Sequence, residues 1–253
     1  MNVSKKIVKA TALSRAPCLA GLSSSQVAVQ KEVRISGSDR IATAIKIADE
    51  FGKTDNVIIA TADSYADALV ASPMATEMNA PILLNRGNSL DGRVLKKIEE
   101  LGAKNVTIVG GTGSIGSGVE NELKSSGMNV SRISGRNRYS TSAEIASKYN
   151  QMVKAKDVVV ASGENFPDAL VAGPYASKIK SPIILSKKNS VTEEVKRVHS
   201  EINPTRTIAV GGVSSLNPYN LKITDRIAGN NRYETALKVA KFMSGEKAYI
   251  TSG

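Results

Sequence analysis

Short apolar runs rich in Val and Ile alternate along this chain with longer stretches in which apolar residues recur at spacings of three and four. The clearest longer stretch follows Arg40, where Ile41, Ala44, Ile45 and Ala48 form one helical stripe. The short runs predict strands buried on both faces, and they lie at residues 57–59, 106–109, 158–160 and 208–210. Strands that alternate with helices in this way predict a parallel sheet with helices on both faces.

The pattern recurs because the sequence itself is repeated. Three similar segments open with R-I-S-G or R-I-A-G, at Arg34, Arg132 and Arg226. The copies lie roughly 95 residues apart, which is the size of a small domain and well above the about 20 to 50 residues of a solenoid repeat. A second block containing D-A-L-V occurs at 57–84 and 158–185, and its third copy covers only residues 248–253.

We therefore predict an α/β protein of tandem repeats, each a parallel sheet covered by helices, with two complete units and a truncated third. The predicted boundaries are 33–131 for the first unit, 132–225 for the second and 226–253 for the start of the third. Each complete unit is predicted to read β-α-β-α-β-α-β-α. Since the third copy stops at Gly253, we do not expect a full third unit here.

The first 30 residues differ from the rest. They have a basic start, a small-residue apolar middle and a Ser-rich end, which is the outline of a secretory signal peptide, although Arg15 and Pro17 interrupt the apolar part. The alternative is a disordered N-terminal extension. Cys18 is the single cysteine, so cleavage would leave a chain without any disulfide.

The composition is that of an ordinary globular chain, with 41% hydrophobic and 23% charged residues. No uninterrupted apolar stretch approaches the ~18 residues needed to span a bilayer, so we expect no membrane span. The formal net charge is +11. This excess is either an ordinary solvated surface or a sign of an anionic partner.

Catalytic groups are scarce. His199 is the single histidine, has no counterpart in the first copy, and is expected at the surface. One histidine and one cysteine cannot supply the usual zinc cluster or a repeated Ser-His or Cys-His couple. We predict no enzyme activity, no metal and no cofactor for this segment.

One motif imitates a dinucleotide-binding loop. Residues 111–116 match G-x-G-x-x-G, but the second copy keeps only Gly211 and Gly212, and the acid expected about 20 residues further on is absent. A tight strand-to-helix turn is therefore our preferred interpretation, with nucleotide binding as a weaker alternative. Nucleic-acid binding is weaker still, because no recognition helix or aromatic platform is visible.

Asp67 and Asp168 are the most faithfully repeated acidic residues, each within D-A-L-V. A carboxylate in this place can act as a general base. An aspartate near the start of a helix can also cap backbone N–H groups or make a buried hydrogen bond. We favour the capping or hydrogen-bonding role.

Four motifs occur twice in the same order, namely R-I-S/A-G-x-x-R, D-A-L-V-A-x-P, P-I-L-L or P-I-I-L, and V-G-G. Together they resemble the type 2 cell-wall-binding repeat of clostridial and bacillar surface proteins, over residues 33–253. The resemblance implies Rossmann-like units, three of which pack with pseudo-threefold symmetry in a complete array. It also implies a secreted protein held non-covalently at the cell surface by an anionic polymer of the Gram-positive wall, a polysaccharide or a teichoic-acid-like chain.

The resemblance further implies which residues face the polymer: Ile82, Leu83, Leu84, Ile183, Ile184, Leu185, Arg40, Arg138 and Arg232. Guanidinium groups suit oxyanions because they offer forked hydrogen bonds. The alternative role for each arginine is structural, through a loop carbonyl or an acid such as Asp39 or Glu234.

The rival function is the anchoring or regulatory part of a wall hydrolase, such as an amidase, whose catalytic domain follows Gly253. If three complete units are needed to hold the wall, we expect the chain as given to bind it poorly.

Overall fold

The computed structural model describes residues 5–8, 33–243 and 248–250. Its strands are β1 (Lys5–Val8), β2 (Val33–Ile35), β3 (Asn56–Thr61), β4 (Ile82–Asn85), β5 (Asn105–Val109), β6 (Asn129–Ile133), β7 (Asp157–Ser162), β8 (Ile183–Ser186), β9 (Arg206–Val210), β10 (Asp225–Ile227) and β11 (Ala248–Ile250). The predicted export signal lies outside the described residues, apart from the backbone of β1.

The helices follow the order expected from the repeats. They are α1 (Arg40–Ala48), α2 (Ala66–Val70), α3 (Ser72–Glu77), α4 (Gly92–Leu101), α5 (Ser117–Ser125), α6 (Arg138–Val153), α7 (Phe166–Lys178), α8 (Glu193–Ile202) and α9 (Arg232–Ala240). A short 3-10 turn, Asp49–Phe51, continues α1. In the predicted stripe of α1, Ile41, Ala44 and Ala48 are buried, as the spacing indicated.

Two four-stranded sheets contain most of the strands. The first has the order β4-β3-β5-β6 and the second the order β10-β9-β7-β8. Every pairing within them is parallel. The predicted fold class, tandem α/β units with parallel sheets, is confirmed. In each sheet the direction of winding reverses, between β3 and β5 and between β7 and β9. At such a switch point a crevice opens outside the carboxyl ends of the strands.

The repeats of the sequence and the sheets of the structure are out of phase by one strand. Strand β6 contains Arg132, the first residue of the second copy, yet it pairs with β5 as the outer strand of the first sheet. Strand β10 contains Arg226 and closes the second sheet in the same way. The R-I-S/A-G segments at Arg132 and Arg226 therefore complete the units before them.

The second unit departs from the predicted β-α-β-α-β-α-β-α order. The first unit has α5 between its last two strands, whereas residues 211–224 of the second unit form no helix. Pro218 cannot donate a backbone hydrogen bond, which disfavours a helix here. The segment is tied instead to the preceding loop, since the N–H of Asn217 donates to the carbonyl of Lys188 at 2.6 Å and that of Tyr219 to Asn189 at 2.9 Å.

The two units share one hydrophobic core. Helices α2 and α3 of the first unit pack against α6 and α7 of the second, through small side chains such as Ala71, Ala75, Ala172 and Ala176. A methyl group on Gly173 would lie 3.1 Å from the Oγ of Ser72, so this contact is close. The stub of the third copy joins the arrangement because α9 packs on α7. Strand β1 pairs antiparallel with β2 and β11 in a separate three-stranded sheet.

Candidate functional site

The repeat arginines stand at the first position of the first helix of each copy. Asn137 caps α6, because its side chain accepts hydrogen bonds from the N–H groups of Tyr139 and Ser140. This cap fixes Arg138, whose Nη1 donates to the carbonyl oxygen of Gly163 at 2.7 Å. Arg40 in α1 makes the same bond to the carbonyl of Ala62.

Arg138 also lies at the boundary with the preceding unit. Its guanidinium carbon is 5.8 Å from the centre of the Tyr65 ring, a distance at which cation–π attraction operates. The Tyr65 ring is in turn 5.3 Å from that of Phe166. Arg232 is exposed at the start of α9, and the carbonyl expected to match those of Ala62 and Gly163 belongs to Gly253, outside the described residues.

The acids proposed as structural partners of these arginines bond elsewhere. Asp39 caps α1 through the N–H of Ala42 at 2.7 Å and pairs with Arg93 at 3.1 Å. Glu234 accepts from the N–H of Asn230 at 2.9 Å. Arg40 and Arg138 therefore make the contact with a loop carbonyl that the structural alternative expected. One guanidinium nitrogen is engaged in that way, and each guanidinium has five N–H groups in all.

The isoleucine-leucine strands lie deeper than the arginines. Leu83 in β4 and Ile183, Ile184 and Leu185 in β8 are at most 1% exposed. Their side chains alternate between the hydrophobic cores on the two faces of each sheet. The partly exposed members of the predicted set are Ile82 and Leu84. The strand of the second unit, β8, is more deeply buried because α2 of the first unit lies against it.

Asp67 and Asp168 lie at the two switch points, facing glycine loops. A methyl group on Gly110 would lie 2.8 Å from Oδ2 of Asp67, and one on Gly211 would lie 2.8 Å from Oδ2 of Asp168. Gly110 has φ +113° and Gly211 has φ +126°, backbone angles that favour glycine. Each carboxylate therefore lies so close to its loop that only glycine, which has no side chain, fits at Gly110 and Gly211.

The aspartates do not cap their helices, so the capping half of our interpretation is wrong. The hydrogen-bonding half holds for Asp168, whose carboxylate is reached by the hydroxyls of Thr235 and Ser215. The positions before α2 and α7 carry no side-chain cap, and no described residue donates a hydrogen bond to the carboxylate of Asp67, although the residue is only 8% exposed. The Oδ1 atom of Asp168 is also buried without a partner among the described residues. The physical reason for the missing caps is position, because Asp67 and Asp168 lie inside the first turns of α2 and α7 and not before them.

Burial raises the pKa of Asp67, and the positive charge of Arg138 offsets part of that rise. Burial likewise raises the pKa of Asp168, and the Thr235 hydroxyl and the charge of Arg232 oppose it. In both cases the opposing cation belongs to the next copy. Each switch point therefore combines a carboxylate from one unit with a guanidinium from the following one.

Sequence reasoning missed the role of the first arginine in R-I-S/A-G. Arg132 donates from Nη1 to the carbonyl oxygens of Gly110 and Ile115, at 2.9 and 3.0 Å. Arg226 does the same to Gly211 and Leu216, at 2.6 and 2.8 Å. The available signal was that each V-G-G loop is followed by a copy of R-I-S/A-G, which begins at Arg132 and Arg226.

These bonds also explain the G-x-G-x-x-G match. Ile115 is fully buried, and a methyl group on Gly116 would lie 1.9 Å from Oδ1 of Asn88. The loop is packed against its own unit and its carbonyls are held by Arg132, which supports the tight-turn interpretation over nucleotide binding.

His199 is half-buried and not fully at the surface as expected. Its Nε2 is 2.8 Å from the Thr207 hydroxyl, and burial lowers its pKa. Within residues 33–243 and the two short outer strands, no three His, Cys, Asp or Glu side chains are grouped so as to hold a metal ion. In the same part of the chain, no helix has the length and apolar character needed to cross a membrane.

Tandem parallel α/β units with a shared core, and with charged groups gathered where one unit meets the next, define a repeat-built binding protein. The model of the family described as Cell wall binding domain 2 (CWB2) matches residues 34–120 and 132–220. The chain therefore belongs to the Cell wall binding domain 2 family and is a cell-wall-binding module. The family resemblance predicted from the motifs is confirmed.

Two curated relatives come from Bacillus subtilis (strain 168). N-acetylmuramoyl-L-alanine amidase LytC is 35% identical over 226 residues, which cover 87% of this chain and 45% of the amidase. The amidase enhancer is 34% identical over 229 residues, which cover 87% of this chain and 31% of the enhancer. The chain thus spans less than half of either relative.

Two solved structures from Clostridium difficile are similar to this chain. Cwp6 has a TM-score of 0.73 and 26% identity, over 89% of this chain and 39% of Cwp6. Cwp8 has a TM-score of 0.70 and 29% identity, over 80% of this chain and 36% of Cwp8. Both agree with the tandem parallel α/β architecture.

Proposed function

We propose that this chain is the non-catalytic wall-anchoring part of a secreted protein, and that it holds an anionic polymer of the Gram-positive cell wall. The observation that carries the proposal is the double match to a cell wall binding domain in a chain with a net charge of +11. A polymer with regularly spaced phosphate or carboxylate groups attracts such a surface at long range. Two sites on one rigid body also raise the overall avidity above that of either site.

We propose the same polymer-facing residues as the family resemblance, and their packing indicates which of them can contact the polymer directly. Arg138 and Arg232 lie at unit junctions, and Arg40 occupies the matching place at the first helix. Among the apolar candidates, Ile82 and Leu84 are open enough to touch a ligand directly. The buried members of the same strands, Leu83 in β4 and Ile183, Ile184 and Leu185 in β8, would support these residues from the core.

A pull-down with purified walls tests the proposal. Walls from Bacillus subtilis (strain 168) are used intact and after hydrofluoric acid has removed their phosphodiester-linked polymers. We expect the chain to sediment with intact walls and to stay in solution with stripped walls. Increasing salt should release it, because exposed ion pairs are screened over about 8 Å at physiological ionic strength. Equal retention on both preparations would rule out the anionic polymer as the ligand.

A second candidate function is the wall-binding part of a hydrolase. It is favoured by the matches to part of an amidase and part of an amidase enhancer. Neither candidate assigns catalysis to this segment, and incubation of the chain with intact walls tests that shared expectation, with release of new amino groups as the measurement. An anchoring module releases none, whereas release at a rate proportional to chain concentration would show that this segment itself hydrolyses wall bonds.

A further inference from the structure

We infer that each junction between consecutive units is a composite binding site for one sugar residue of an anionic glycan, with Asp67 and Arg138 at the first junction and Asp168 and Arg232 at the second. The carboxylate comes from one unit and the guanidinium from the next. This inference rests on the proposed wall-binding function and assigns its ligand contacts.

The carboxylates are the first support. Asp67 is nine-tenths buried and no described residue donates a hydrogen bond to its carboxylate, and Oδ1 of Asp168 is buried without a partner among the described residues. A buried polar group without a partner costs about 1 to 3 kcal/mol. Thr235 and Ser215 reach the Asp168 carboxylate, but its Oδ1 lacks a donor, as the Asp67 carboxylate does at the same place in the first unit. A ligand that supplies the missing donor explains this recurrence. Sugar hydroxyl and acetamido N–H groups are donors of this kind.

The location is the second support. Both carboxylates lie at the carboxyl ends of parallel strands, where the strand order reverses, and this is where open α/β sheets bind ligands. Gly110 and Gly211 leave room for the carboxylates there, since any side chain at either position would collide with them. Glycine at these two positions is therefore what allows each carboxylate to lie against the loop backbone.

The guanidinium supplies the opposite charge. Arg138 is held by the carbonyl of Gly163 through Nη1, at 2.7 Å, which fixes its plane beside Tyr65. Its remaining N–H groups suit a phosphate or carboxylate that neighbours the bound sugar. The Tyr65 and Phe166 rings, 5.3 Å apart, add an aromatic surface at the first junction, and Phe166 is 39% exposed. Sugars present apolar C–H faces that pack on such rings.

The arrangement gives the short third copy a specific role. Helix α9 begins with Arg232 and packs on α7, so residues after Arg226 deliver the cation that the second junction needs. Two composite sites can therefore form in the described part of the chain, although only two units are complete.

The test compares two double variants that change net charge equally. Asp67→Asn with Asp168→Asn alters the junctions. Asp63→Asn with Glu164→Gln alters the exposed acids that occupy matching places in the two nearby loops. With intact Bacillus subtilis (strain 168) walls, we expect the junction variant to need at least about tenfold more polymer for half-saturation, which is about 1.4 kcal/mol. The loop variant should bind as well as or better than the parent chain.

Each result is decisive. If the junction variant binds like the loop variant, the carboxylates do not contact the ligand and the inference is wrong, while the wall-binding function stands. If the parent chain itself binds intact and stripped walls equally, the proposed binding to an anionic wall polymer is wrong, whatever the variants do. Thermal unfolding of both variants checks the fold.

Arg138→Lys and Arg232→Lys provide an independent measurement. Each keeps the charge and loses the forked geometry. Each single change should weaken binding by more than the loss of one of two independent sites would, because disabling one site already removes the avidity. A loss of only about twofold in each single variant, as expected for two independent sites, would contradict two cooperating composite sites.

Discussion

Arg132 and Gly110 belong to successive copies of the repeated sequence, yet a hydrogen bond of 2.9 Å joins the guanidinium Nη1 of one to the carbonyl oxygen of the other. The same arginine pairs through Nε with Glu120 at 3.1 Å. Arg226 bonds Gly211 in the equivalent way at 2.6 Å. The opening arginines of the second and third copies therefore fix the glycine loops of the units before them.

Substitution of Arg132 should destabilise the first unit. Arg132→Ala leaves the carbonyls of Gly110 and Ile115 without their side-chain donor and Glu120 with Lys124 alone. We therefore expect the free energy of unfolding to fall by about 3 kcal/mol. Urea denaturation measures the change. Arg197→Ala is the matched control, because its side chain is 55% exposed in surface ion pairs that contribute less than about 1 kcal/mol. Equal losses in the two variants would contradict the loop-holding role.

Gly110→Ala should also destabilise the fold, by about 2 to 3 kcal/mol. Its φ of +113° strains an L residue, and its methyl group would lie 2.8 Å from the Asp67 carboxylate. Gly113→Ala in the same loop meets no atom within 4 Å and should change stability little. Combining Gly110→Ala with Asp67→Ala should recover the part of the loss that comes from the collision, as a double-mutant cycle would show.

Much of the fold was predictable because it depends on local pattern. The apolar runs gave β3, β5, β7 and β9, and the stripe after Arg40 gave α1. The missing helix near Pro218 was not predicted, because the first copy suggested one at the same place. That segment is held by bonds to Lys188 and Asn189 from a distant part of the sequence, and no local periodicity reports such contacts.

The pH dependence of stability should contain a contribution from His199. Burial lowers the pKa of His199 below its usual 6.5, so the folded state favours the neutral ring. The unfolded chain therefore takes up the proton first, and this contribution to stability is lost as pH falls through about 6.5 towards the folded pKa. His199→Gln should flatten the curve in this range. The difference between the two unfolding curves, measured from pH 8 to pH 5, isolates the effect, and parallel curves would contradict it.

Asp67→Asn should stabilise the unliganded fold at neutral pH. Burial raises the pKa of Asp67 above 3.8, so the charged form is unfavourable in the folded state. Acidification relieves this cost as pH falls through the raised pKa, and the relief is complete below 3.8. The advantage of the amide should therefore be largest at pH 7 and smallest near pH 3. Asp63→Asn, at an exposed ion pair with Arg86, is the control and should show little change.

The candidate site was only partly accessible to sequence reasoning. Repetition singled out Asp67 and Asp168, since a repeated polar residue is visible without coordinates, and the family resemblance pointed to Arg138 and Arg232. It could not show that the acid of one copy faces the cation of the next, because that pairing depends on how the units pack. It also could not show that Leu83 is buried while Ile82 is partly exposed, since the burial of a strand residue depends on the helices that cover it.

The one-strand offset between repeat and sheet has a consequence for how such proteins can grow and be engineered. A fragment cut at the sequence boundary, between residues 131 and 132, would divide β6 and leave a sheet with a broken outer strand. A transferable module should instead run from about residue 38 to about residue 135. Conversely, if a whole repeat is inserted into the array, its opening strand completes the sheet of the unit before it. Its own sheet is completed by the opening strand of the repeat that follows. The array can thus lengthen by duplication with every existing interface preserved.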